Sequence, residues 1–70
     1  MNVHVVPHAG LWAIKQEGVV EPMQTFPTET EAVTAGREIA MRERGELFIH
    51  GRGGEIRDRR SYGHDPRGRG

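Results

Sequence analysis

Midway along the chain, Thr28-Glu29-Thr30-Glu31 marks a helix start that local chemistry can specify. The Thr28 hydroxyl is placed to accept from a backbone N–H of the first turn, and Glu31, three residues on, can reach back to close a capping box. Glu29 and Glu31 also offset the positive end of the helix dipole. Beyond the cap, Ala32, Ala35, Gly36, Ile39 and Ala40 fall on one stripe at spacings of three and four, with Thr34, Arg37, Glu38, Arg42 and Glu43 mainly outside it. The pattern predicts a helix over residues 29–44, ended by Gly45. Its buried stripe is built of small residues, so the helix must lie close to whatever it covers. Phe26, just before the cap, is expected to fold back on the first turn and fill the end of the core.

Strand signals flank this helix on both sides. Val3, Val5 and Val6 are stiff, β-branched residues that suit a pleated strand over residues 2–6, and Pro7-His8-Ala9-Gly10 reads as a turn. In Leu11-Trp12-Ala13-Ile14-Lys15-Gln16 the large residues Trp12 and Ile14 alternate with smaller or polar ones, the period of a half-buried strand. Residues 19–25 allow a third strand, which Pro22 restricts to an edge. After the helix, Glu46-Leu47-Phe48-Ile49-His50 turns through Gly51-Arg52-Gly53-Gly54 into a last short strand, Glu55-Ile56-Arg57. The expected fold class is therefore a two-layer α+β domain. One helix packs on one face of an antiparallel sheet of four to five strands, in the order strand, strand, (strand), helix, strand, strand. Residues 1–60 form the domain, and 61–70 form a polar arginine- and glycine-rich tail, flexible unless Tyr62 docks on the sheet.

A chain of 70 residues with 34% hydrophobic residues can bury one thin core and no more. It contains no cysteine, which excludes a disulfide staple or a thiolate metal site and makes a homo-oligomer a reasonable expectation. No run approaches the roughly 18 apolar residues of a membrane span, and Met1-Asn2-Val3-His4 does not open an export signal, so a cytoplasmic location is expected. The formal net charge is zero, yet residues 52–70 hold six arginines against three acids. A local arginine cluster of this kind can attract phosphates where the whole surface would not.

The opening His4-Val5-Val6-Pro7-His8, Trp12-Ala13-Ile14-Lys15 with Gly18, Phe26 and Thr28 ahead of Glu31-Ala32, and the helical Ala35 to Ala40 form one group of motifs. Gly45-Glu46-Leu47, His50-Gly51-Arg52-Gly53-Gly54, Ile56, Ser61-Tyr62-Gly63 and Asp65-Pro66 complete it. Together they resemble the short bacterial proteins catalogued as domain of unknown function 2188, over nearly the whole chain. The resemblance implies the same element order and boundaries and brings no activity with it. Gly36 stands where that family more often has a helix former such as alanine, a departure expected to matter little, at up to about 1 kcal/mol.

Strand alternation sorts the side chains onto two faces. Val3, Val5, Trp12, Ile14, Leu47, Ile49 and Ile56 are expected on the helix side, and His4, Ala13, Lys15, Phe48, His50 and Arg57 on the other. A face with one aromatic ring among cations and imidazoles can hold single-stranded nucleic acid, with bases on the ring and cations on phosphates. The leading expectation is thus a small non-catalytic module that binds nucleic acid weakly. His4, Lys15, Phe48, His50 and Arg52 would act with Arg57, Arg59 and Arg60 of the basic carboxyl-terminal segment. The competing expectation is a homodimer or a host-protein contact centred on Phe48. If His4 and His50 lie in such an interface, their protonation would weaken it.

Other chemistries find less in the sequence. Four histidines invite a metal, but His4 and His8 straddle a proline turn and nothing completes a site, so no metal or other cofactor is expected. The glycines of residues 51–54 precede a strand rather than a helix, which is a hairpin turn and not a phosphate loop. No nucleophile has a recognisable setting, and a two-layer domain of this size seldom encloses a substrate pocket, so neither catalysis nor a small-molecule substrate is expected.

Overall fold

A computed structural model of the chain describes residues 1–63. The strands are β1 (Val3–His8), β2 (Leu11–Gln16), β3 (Gln24–Phe26), β4 (Glu46–His50) and β5 (Ile56–Ser61), with helix α1 (Glu29–Glu43) between β3 and β4. One five-stranded sheet runs in the order β3-β2-β1-β4-β5. The fold is α+β with one helix against this sheet.

The sheet is mixed, which corrects the expectation of a purely antiparallel one. β1 and β2, β2 and β3, and β4 and β5 pair antiparallel, but β1 and β4 run parallel, with Val3 opposite Leu47 and Val5 opposite Ile49. The reason lies in the path of the chain. Three strands alternate in direction outward to the β3 edge, α1 returns across the sheet, and β4 therefore sets out in the direction of β1. A parallel pair needs such a crossover, and the helix supplies it.

The core is the layer between α1 and the sheet. Val3, Val5, Trp12, Ile14, Leu47 and Ile49 are buried there with Ala32 and Ala40. Strand parity follows the sequence pattern on β1, β2 and β4, which puts Phe48 on the opposite face. Phe26 packs against the core from the end of β3, as does Tyr62 beyond β5, whose N–H donates to the Gly45 carbonyl at 2.9 Å.

Helix boundaries reflect their caps. The Thr28 side chain accepts from the Glu31 N–H, and α1 runs to Glu43. The residue that takes the left-handed conformation at its end is Arg44, with φ 57°, and not Gly45. Gly45 serves a different need: a Cβ there would overlap the Met1 carbonyl, so its missing side chain lets the amino terminus pass close by. β1 also runs two residues past its expected end, through Pro7 to His8, and the turn is Ala9-Gly10, both at positive φ. The β1–β4 ladder extends only to Val5 opposite Ile49, so Pro7 lies beyond it and its missing donor costs that ladder nothing.

The last strand departs most from the sequence reading. It extends to Ser61, and every residue in it is exposed. A register shift lies at its start: Ile49 faces Asp58 while His50 faces Ile56, so Arg57 is the extra residue of a bulge. The bulge inverts two expected placements. Ile56 shares the face of His50 and is 58% exposed, and Arg57 turns to the helix side, where it pairs with Glu29.

Candidate functional site

The face of the sheet away from α1 has no second layer among the described residues. Across its middle, residue registry lines up Lys15, His4, Phe48 and Arg59 on β2, β1, β4 and β5. Opposite residues on neighbouring strands share a face and stand close enough to interact. His4 stacks on Phe48 with ring centroids 4.8 Å apart and an interplanar angle of 15°. From the β5 side, the Arg59 guanidinium lies 5.8 Å from the centre of the Phe48 ring. Phe48 thus has a ring or guanidinium neighbour on each flanking strand.

Beside this row the imidazoles form a hydrogen-bonded pair, with His4 Nδ1 2.8 Å from His50 Nε2. The outer nitrogen of each ring also has a partner. His4 Nε2 lies 3.2 Å from Glu17 Oε1, and His50 Nδ1 lies 3.3 Å from the Gly54 carbonyl oxygen. Local structure positions both ends. The Glu17 N–H donates to the Asn2 carbonyl at 2.9 Å, which extends the β1–β2 pairing one step and holds Glu17 beside His4. At the other end, Gly51 donates to Glu55 and Gly54 to Gly51, a turn that folds the Gly54 carbonyl back over His50.

A neighbouring row is acidic and polar. The Asn2 side chain accepts from the Glu46 N–H at 3.0 Å, and Glu46 accepts from Arg59 at 3.3 Å. On the other side of the His4–Phe48 row the surface is more apolar, with Val6 opposite Ala13 and His50 opposite Ile56. Leu11, which shares this face at the β1–β2 turn, is 41% exposed.

Of the residues singled out from sequence, the structure brings His4, Lys15, Phe48, His50 and Arg59 together on the open face. It disperses the other three. Arg52 sits over the Trp12 ring at 5.5 Å, at the edge of the core. Arg57 and Arg60 line an open groove of about 410 Å³ beside the helix start, with Glu29, Thr30 and Asp58. Arg57 pairs there with Glu29, and Arg60 Nε donates to Asp58 at 3.1 Å. The hydrogen bond to Asp58, aided by Tyr62, raises the pKa of the Arg60 guanidinium above its ordinary value.

Sequence reasoning missed Glu17, Glu46 and the Gly54 carbonyl. Their roles depend on which strands become neighbours, and no local spacing announces that. Among the described residues no three His, Cys, Asp or Glu side chains are grouped to hold a metal ion. No helix there is long and apolar enough to cross a membrane. Arg67 and Arg69, the last of the basic segment, lie outside the described residues.

Comparison with known proteins gives one family. Residues 3–62 match the model of the family described as "Uncharacterized protein conserved in bacteria (DUF2188)". No curated protein and no solved structure matches the chain.

Proposed function

We propose that this chain, which belongs to the bacterial family DUF2188, is a non-catalytic interaction module whose open sheet face packs against a second copy of itself. The observation that carries this reading is the pattern of that face. Lys15, His4, Phe48 and Arg59 form a row with cationic ends, next to a row that contains Glu17 and Glu46. A two-fold axis through the face would lay the cationic row of one copy on the acidic row of the other, the self-complementarity an isologous contact needs. Phe48, Val6, Leu11 and Ile56 supply apolar area between them. A small domain with a thin core gains from covering that area.

The same geometry lends less support to nucleic acid. Bases stack on an open ring face, and the Phe48 ring is flanked by His4 and Arg59. Phosphates seek unpaired cations, and Arg57 and Arg60 lie off the open face, each against a carboxylate.

Sedimentation of the full chain in low and high salt tests the reading. A dimer that weakens in 1 M salt without dissociating fully is expected, because screening removes the charge pairs between the rows and leaves the apolar burial intact. A monomer that retains nucleic acid at low salt and releases it at high salt would replace this reading with the phosphate-binding one.

A further inference from the structure

Two imidazoles on the open face stand in series between two groups that can only accept. The Glu17 carboxylate meets His4 Nε2, His4 Nδ1 meets His50 Nε2, and His50 Nδ1 meets the Gly54 carbonyl. A carboxylate and a carbonyl oxygen have no hydrogen to give, so each outer nitrogen must carry one. The inner contact, at 2.8 Å, needs one hydrogen between its two nitrogens. All three bonds therefore require three ring hydrogens, and a neutral pair of imidazoles holds two.

We propose that His4 and His50 form a single-proton site: the pair binds one proton in common, shared across the Nδ1–Nε2 contact, and that proton completes the chain from Glu17 to Gly54. Without it, one end must fail. Either a His4 lone pair faces the Glu17 carboxylate or a His50 lone pair faces the Gly54 carbonyl. With a second proton, two N–H groups point at each other across the inner contact and the pair must separate. The state with one proton ties together β1, β4, the segment after β2 and the β4–β5 turn, and the states on either side of it release one of those ties.

The surrounding charges bear on this site in opposite senses. Glu17 favours the proton. Lys15, opposite His4 on β2, opposes it. Arg59 opposes it from beyond Phe48 on β5, and Glu46, bonded to Arg59, compensates. Glu55, in the turn after β4, lies against Gly51. Coupled groups of this kind titrate as a pair and not as two residues. The expectation that protonation weakens the face treats the rings separately. As a pair, the first proton completes the chain and the second breaks it. The geometry is that of one chain, so the inference does not require the dimer.

Ring ¹⁵N spectra of the full chain between about pH 5 and 9 test it. Two inflections are expected, each moving both rings together. Between them lies a plateau on which His4 Nε2 and His50 Nδ1 are protonated and the inner nitrogens show a coupling across their hydrogen bond. Two independent single-step curves without that coupling overturn the proposal. In His50→Gln the plateau should vanish and His4 should titrate in one step. Should that variant fail to fold, Glu17→Gln keeps the pair and removes one terminal charge, and the plateau should narrow. A plateau of unchanged width in Glu17→Gln also overturns the proposal, because the proton would then owe nothing to that end of the chain.

Discussion

Gly36 on the helix lies directly over Leu47 on β4: a Cβ at residue 36 would come within 3.0 Å of Leu47 Cδ1, and within 3.2 Å of Val5 and 3.3 Å of Ile14. The helix rests on the centre of the sheet at this point. Gly36 belongs to the small-residue stripe expected to bring the helix close, with its departure from alanine expected to matter little; a side chain there would press on three core residues. Gly36→Val should destabilise the protein by about 1–3 kcal/mol through overpacking. Each kcal/mol lowers Tm by roughly 4–8 °C in a domain of this size, so thermal unfolding followed by circular dichroism reads the change. A Tm at or above that of the unmodified chain would mean that the layers can part at little cost.

The Thr28 hydroxyl accepts from the Glu31 N–H at 3.2 Å, which satisfies one of the unpaired donors at the start of α1. Thr28→Ala should cost about 1 kcal/mol, and Thr28→Asp should retain most of the stability because aspartate caps as well. Urea unfolding of the two variants, with m unchanged, separates a cap effect from a change in the denatured state.

Arg57 and Glu29 pair at the surface, with side chains 54% and 26% exposed. Exposed ion pairs contribute little after screening and side-chain entropy are counted. Arg57→Ala should therefore change stability by less than about 1 kcal/mol and leave the oligomeric state as it was. Loss of the dimer in this variant would move the interface from the open sheet face to the helix side of β5.

Phe48→Glu should dissociate the proposed dimer. A central aromatic anchor typically contributes at least about 2 kcal/mol, roughly 30-fold in Kd, and a buried carboxylate adds a desolvation cost. Removal of residues 64–70 should leave the dimer intact. The cut must fall after Gly63, because Ser61 belongs to β5 and Tyr62 packs on the core. Light scattering across a concentration series reads both variants. Dissociation by the truncation alone, with Phe48→Glu still dimeric, would place the contact in the tail.

The element order and the faces of β1, β2 and β4 were legible in the residues themselves. A cap acts over three residues and a helix stripe over four, and strand alternation repeats every second residue, so each signal sits within the segment it describes. Thr28, the stripe from Ala32 to Ala40, and the Trp12–Ile14 and Leu47–Ile49 pairs are all of this kind. β5 gave a weaker signal because an exposed edge strand has no buried face to impose alternation, and Ile56-Arg57-Asp58-Arg59-Arg60-Ser61 shows none.

Tertiary structure alone decided which distant segments met. Nothing near His4 announces His50, 46 residues away, and nothing near Gly36 announces Leu47 beneath it. Both contacts follow from β4 entering the sheet parallel to β1, a consequence of the whole path from β1 through α1. The bulge at Arg57 likewise depends on how β5 registers against β4, and it sends Arg57 to one face and Ile56 to the other. Local sequence determines what each segment is because its governing interactions span a few residues. Register between segments is settled by global packing, and the arrangement of the open face depends on register.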